Sequence, residues 1–312
     1  MIRVTLNAAT NYTSVVAGSE VVILGTNSVW SNFNGQVNST IDSKVPPAGI
    51  LPDGSNLQDF VASDSTSHGV DSLNFGPDGA LYVSIGDGTS FNRVDSRAYR
   101  VQDVDNLSGK LLRINPITGA GYSNNPFYNG NLSSNQSKVY QYGFRNPFRF
   151  SIDPRNGKVY VGDVGWTNWK EINAGAAGAN FGWPFYEGGS AGNQQTIAYN
   201  ATPEAQAFYA SGTQVKAPLI ALNHAADNIN AIIAGDVYVG NAYPAEFNGD
   251  LFFNDLGQGI VRNATIGPDG EIEKIEVFAT GAAYVVQIVQ GPDGRLYYVD
   301  LDDGEIGRWS IV

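Results

Sequence analysis

Short apolar runs separated by tight polar turns fill this chain. One phrase recurs: an apolar strand, a turn of Pro, Asp, Asn and Gly, a second apolar strand, then Asp or Gly. It stands at 73–88 (LNFGPDGALYVSIGDG), 148–165 (FRFSIDPRNGKVYVGDVG) and 285–304 (VVQIVQGPDGRLYYVDLDDG), with a looser copy at 236–259. Its Asp-Gly and Asn-Gly pairs suit hairpin positions with positive φ, which glycine reaches without steric cost. Further strand candidates follow at 110–116, 260–266 and 305–312. The one helix-like piece is ATPEAQAFYA at 201–210.

Three or four short strands, repeated four times without a long helix, predict an all-β fold of the β-propeller type. At ~40–50 residues per blade, the 312 residues make five to six blades. Four are clear, a partial one opens the chain, and 185–220 reads as a surface insertion in a single domain spanning 1–312. The N-terminus reads as a strand from Arg3 to Leu6 and a turn, entered in mid-fold, so the expectation is a chain that begins inside a longer protein.

Composition agrees with the pattern. Glycine is abundant at 37, and charged residues make up only 15%, a profile of many strands and turns. The net charge of −12 repels phosphates, which excludes nucleic acid as the expected partner. No apolar run approaches the ~20 residues of a membrane helix, so no membrane insertion is expected. With no cysteine, disulfides and thiolate metal sites are excluded.

The stretch 67–88 carries the first candidate chemistry. His68 stands before the first strand of a hairpin and Asp87 just past the second. A hairpin can return these two residues to one end, where a histidine beside a carboxylate is a candidate general base. Spacing alone leaves open a turn-capping Asp and a structural His. His224 reads as structural.

The middle of the chain closely resembles the glucose/sorbosone dehydrogenase family. The resemblance rests on G-F-R-N-P (143–147), G-D-V-G-W (162–166), E-I-N (171–173) and G-A-N-F-G-W-P (178–184), and on 68–87 and 108–116. It implies a six-bladed quinoprotein propeller, its first blade incomplete here, that binds pyrroloquinoline quinone (PQQ) and calcium and oxidises a sugar outside the cytoplasm. It further implies that His68 is the catalytic base and Asp87 its acid partner. Arg145 and Asn146 would line the quinone and substrate pocket. Gly165 and Trp166 would hold calcium against PQQ through backbone carbonyls. Glu171 and the Phe181 carbonyl would form a structural calcium site. Backbone carbonyls are ordinary calcium ligands.

Three departures qualify this. The Lys and paired Arg that relatives use on PQQ's three carboxylates fall here near Gly257 and near 284–286, where none is basic; the nearest late cations are Arg262, Lys274 and Arg295. Weakened PQQ binding is therefore expected. The phrase that opens the family's first blade is absent, and Phe148 replaces a polar residue of some relatives. The carboxylate-rich 101–109 and 300–305 lack EF-hand spacing and read as Asx-turns. The sequons at Asn38, Asn135 and Asn263 carry no weight without a eukaryotic secretory context. Trp166, Trp169 and Trp183 are candidates for stacking on a sugar, with packing between blades the favoured reading of Trp183. Two functions are therefore in play. One is a PQQ- and calcium-dependent aldose dehydrogenase, periplasmic or extracellular, with an unknown electron acceptor. The other is a non-catalytic propeller module of a larger secreted protein.

Overall fold

The computed structural model describes residues 1–34, 45–90, 93–188, 192–282 and 284–311. They form a β-propeller with four blades. A two-stranded ribbon, β1 (Ile2–Arg3) with β2 (Val21–Val22), precedes them. The first blade is antiparallel and meandering: β3 (Val70–Phe75), β4 (Leu81–Ile85), β5 (Lys110–Ile114) and β6 (Val139–Tyr142). A short helix, α1 (Asn135–Lys138), leads into β6. The second blade begins with β7 (Pro147–Ile152), β8 (Val159–Asp163) and β9 (Trp169–Ala174). The chain then leaves the sheet for a ribbon, β10 (Tyr186–Glu187) with β11 (Gln194–Gln195), and a helix, α2 (Pro203–Ala210). It returns as β12 (Ile220–Asn223), which pairs with β9 and completes the blade. The third blade is β13 (Ile232–Val237), β14 (Leu251–Asp255), β15 (Ile260–Ile266) and β16 (Ile272–Thr280). The last has three strands: β17 (Val285–Gln290), β18 (Leu296–Asp300) and β19 (Glu305–Arg308).

Each blade is too thin to bury its own apolar faces, so the core lies between blades. Tyr82 and Leu111 of the first meet Phe150, Val159 and Val161 of the second. Tyr160 and Ile172 meet Ile232 and Phe253 of the third, and Phe252 and Val261 meet Val285 and Ile288 of the fourth. The other face of the first blade is covered by Ile23 and Leu24, so the N-terminal segment stands there in place of a further blade. This is why the described residues hold four blades where length alone gives five to six. The described residues between β9 and β12 are likewise spent on an excursion, and the Arg3–Leu6 strand shrinks to β1 and an isolated Leu6–Val15 bridge.

The innermost strands β3, β7, β13 and β17 pack side by side in that order. Each hairpin turns at one end and delivers the aspartate of the repeat to the other. That second end carries Asp87, Asp163, Asp255 and Asp300, and the chemistry gathers there.

Candidate functional site

All four repeat aspartates accept backbone N–H groups. Asp163 accepts the N–H groups of Arg145 at 3.0 Å and Asn146 at 2.6 Å, locking the entry of its own blade. Asp255 does the same with Asn230 and Ala231, each at 2.6 Å. Asp300 caps the turn after β18 through Asp302 and Asp303. Asp87 differs. Where Asp163 and Asp255 receive the N–H groups that enter their blades, Asp87 meets the His68 ring, Nδ1 lying 2.8 Å from Oδ1. In the first three blades the repeat thus supplies a buried carboxylate, and the histidine in the first blade converts it to a pair.

The pair is held from all sides. Oδ1 of Asp87 also accepts the Thr89 N–H at 3.0 Å, and Oδ2 accepts the Trp183 indole N–H at 2.8 Å. Arg100 donates to the Asp87 carbonyl and pairs with buried Asp64. His68 itself takes positive φ, 57°, which is uncommon for a residue with a side chain. Gly86 permits this: a Cβ there would lie 2.6 Å from the His68 carbonyl and 2.7 Å from its Cβ. With Nδ1 facing a carboxylate, Nδ1 carries the proton and Nε2 offers its lone pair. Burial, and then the charge of Arg145, hold the imidazole below the usual histidine range, although Asp87 pulls the other way. Burial would raise Asp87, but His68 and Arg145 hold it below the usual carboxylate range. A neutral imidazole beside a fixed carboxylate is therefore the resting state at neutral pH.

Arg145 reaches this site from the second blade. Its backbone carbonyl accepts the Asp87 N–H at 2.8 Å, its guanidinium donates to the Val164 and Gly165 carbonyls, and it lies over the Trp183 ring at 5.5 Å. The Asn146 side-chain carbonyl, buried next to it, has no hydrogen-bond partner. The four residues His68, Asp87, Arg145 and Asn146 therefore converge on one end of the propeller. Gly165 and Trp166 join them, but their carbonyls are in use. Lys170 donates its ammonium to Gly165 at 2.8 Å and Trp166 at 2.7 Å. Glu187, on the excursion, accepts the Trp166 N–H through Oε1, and its buried Oε2 has no partner.

Glu171 and Phe181 have separate surroundings. The Glu171 carboxylate accepts the Gly188 N–H and the Asn173 amide. Burial, with Asp163 nearby, pushes it up to about 8. The Phe181 ring stacks into the core 4.9 Å from Phe144. Among the described residues, no group of three or more His, Asp or Glu side chains gathers as a metal cage.

The two stretches without the carboxylate clamp are neighbours, since the Tyr284 N–H donates to the Leu256 carbonyl at 2.8 Å. Of the three late cations, Arg262 belongs here: it donates to Gln258 at 2.7 Å and keeps a buried Nη1 without partner. Lys274 pairs with Glu276 at the surface, and Arg295 pairs with Asp293 in the hairpin at the opposite end.

Several site residues escape sequence reasoning. Trp183 touches Asp87 rather than merely filling space. Tyr199, from the insertion, is buried against Trp183 and Trp166 and accepts the Asp95 N–H at 3.0 Å. Asp95 in turn grips Arg97. The insertion therefore lies over the site end, and its aromatic residues were the available signal. His224 bonds the Ile229 carbonyl through Nδ1, as a structural residue does. The Asn135 and Asn263 side chains are buried and bonded, and Asn38 lies outside the described residues. The acidic stretches 101–109 and 300–305 form Asx-turns.

Comparison with known proteins gives a consistent picture. The family model described as Glucose / Sorbosone dehydrogenase matches residues 57–308. HIPL2 protein of Arabidopsis thaliana is 31% identical over 212 residues, 62% of this chain and 28% of that protein. Aldose sugar dehydrogenase YliI of Escherichia coli K12 is 25% identical over 241 residues, 76% of this chain and 58% of that protein. The chain thus spans less than two thirds of either relative. Among solved structures, a glucose dehydrogenase superposes with a TM-score of 0.62 at 23% identity, over 85% of this chain and 73% of that one. The PQQ-bound form of aldose sugar dehydrogenase from Streptomyces coelicolor gives 0.55 at 21% identity, over 78% and 60%. At these identities the superpositions speak to the fold alone.

Proposed function

The chain belongs to the glucose/sorbosone dehydrogenase family, and from that premise we propose that it oxidises the C1 hydroxyl of an aldose to a lactone, outside the cytoplasm, with PQQ as electron acceptor. The observation that carries this reading is the His68–Asp87 contact of 2.8 Å at an end of the propeller where Arg145 and Asn146 also converge. His68 takes the hydroxyl proton on Nε2. Asp87 keeps Nδ1 protonated and offsets the charge of the imidazolium that forms. Arg145 offsets negative charge growing on the sugar oxygen. The C1–H and O–H bonds break and a C=O bond forms, leaving two electrons to be accepted. When bound, PQQ supplies that acceptor for the hydride from C1.

The residues present suit an anionic cofactor. Arg145 and Lys170 bring positive charge to the site, and Arg262 has a buried N–H without partner beside the loop that lacks the family lysine. Asn146, with its unpartnered side-chain carbonyl, would line the same pocket. Calcium between the Gly165 and Trp166 carbonyls does not fit, because Lys170 already donates to both. A calcium is proposed on the Glu171 carboxylate, with the Phe181 carbonyl as the second ligand that the family resemblance implies. Glu171 and Glu187 are both buried there near Asp163, and a divalent cation would offset their charge. No chemical step depends on it.

The test is dye reduction by the protein loaded with PQQ, using simple aldoses. Turnover that needs both sugar and PQQ supports the reading. Absence of PQQ binding at high micromolar cofactor favours the non-catalytic module.

A further inference from the structure

The third strand of three blades carries a cation near its start at the site end, buried in two of them (Lys110 and Lys170) and half-buried in the third (Arg262). Lys110 begins β5 and donates to the Val101 and Ser108 carbonyls, both at 2.7 Å. Lys170 stands second in β9, and Arg262 third in β15. In the first blade the lysine ties the loop between second and third strands to itself. In the second blade the equivalent loop is 164–168, and its carbonyls face the site: Gly165 is shared between Lys170 at 2.8 Å and Arg145 at 3.2 Å.

The environment of Lys170 is that of a cation site. The residue is only 2% exposed. Two backbone carbonyls accept from it; burial and then the neighbouring Arg145 oppose its charge, while Glu187, Asp255 and Asp163 attract it. An ammonium has three donors. Two are spent on Gly165 and Trp166, and among the described residues the third has no partner. Gly165 must also be glycine here, since a Cβ would fall 2.1 Å from the Trp169 carbonyl and 2.6 Å from Glu187. The backbone therefore turns its oxygens to the cation with no side chain in the way.

We infer that the Lys170 ammonium is the resident cation of the Gly165–Trp166 carbonyl site, held there by the fold in place of a divalent metal, with one N–H left for an oxygen of a bound ligand. The physical exchange is of a dication that dissociates for a covalently tethered monocation. The tether removes the dependence of this position on metal concentration. It also lowers the local charge, which the unpartnered oxygen of Glu187 would otherwise balance against a dication. This inference rests on reading those carbonyls as the cofactor-side cation position of the proposed dehydrogenase, but its test reads metal occupancy rather than turnover.

Crystals of the full chain soaked in strontium, a calcium analogue, locate bound divalent ions by anomalous scattering. The wild type is expected to show no peak between the Gly165 and Trp166 carbonyls. Lys170→Ala is expected to gain one, at about the 2.3–2.6 Å of calcium–oxygen bonds. A peak there in the wild type, with Lys170 displaced, overturns the inference. So does an empty position in Lys170→Ala, because the lysine would then be only a loop clamp like Lys110. Should that variant not fold, the same soak of Lys170→Gln decides between these outcomes. A protein that shows the expected occupancies yet never oxidises an aldose leaves this inference standing and removes only the dehydrogenase reading.

Discussion

Trp183 donates its indole N–H to Oδ2 of Asp87 at 2.8 Å across 96 residues of sequence. The other oxygen of that carboxylate faces His68. The tryptophan therefore acts on the imidazole through the aspartate: each hydrogen bond that stabilises the carboxylate makes it a weaker partner for a charged histidine. Trp183→Phe removes one donor and keeps the ring. The expected result is a His68 that holds its proton more tightly, so the acid limb of the pH–rate profile moves to higher pH. Losing a hydrogen bond to a buried charged group costs about 1–3 kcal/mol, which thermal unfolding would register. An unshifted profile would make Trp183 packing only.

The pH profile of the wild type follows from the same geometry. Burial and Arg145 hold His68 below its ordinary range. The base form is lost only as pH falls through that lowered value. Activity should therefore be flat through neutrality and decline below about pH 6.5, the ordinary histidine value. An inflection above that value would mean that Asp87 dominates over burial.

Gly86→Ala tests the backbone that places His68. A methyl group there would lie 2.6 Å from the His68 carbonyl and must displace it. Overpacking of this kind typically costs about 1–3 kcal/mol. Activity should fall at least tenfold, with the far-UV spectrum retained, because the strand pairing beyond β4 is untouched. Unchanged kcat would show that the positive φ at His68 has no part in function.

Much of this site was legible in the sequence, and the physical reason is the hairpin. A turn rich in Gly and Asp fixes where the second strand ends, so the repeat announced Asp87, Asp163, Asp255 and Asp300 as equivalents. It could not say that one of them would also meet an imidazole, because that depends on His68 adopting positive φ. Trp183 and Tyr199 were illegible for a different reason. Their contacts cross blades, and an aromatic residue that fills a core looks the same in sequence as one that donates a hydrogen bond. Lys170, between Trp169 and Glu171, reads as one more polar strand residue until the Gly165 loop folds back over it. Among the described residues four blades are detected, because the excursion after β9 and the N-terminal segment spend much of the length outside the blades.

Calcium should raise the melting temperature of the protein over that in chelator, since a ligand that binds only the folded state stabilises it. Glu171 is pushed up to about 8, so at neutral pH calcium must displace a proton from it. The calcium-dependent shift should therefore grow as pH rises from 6 toward about 9, and Glu171→Gln should remove that growth. Melting curves that coincide with and without calcium at all these pH values would remove the metal from Glu171.

The central claim is that His68, oriented by Asp87, takes the proton in sugar oxidation. It is tested most directly by comparing PQQ-dependent dye reduction with an aldose in the wild type and in His68→Ala, at matched cofactor occupancy measured by absorbance. Loss of a general base costs about 10²–10⁴-fold. The account predicts a fall of that size in kcat, with cofactor binding and melting temperature little changed. A His68→Ala variant that binds the cofactor and turns over within a few-fold of the wild type would contradict it.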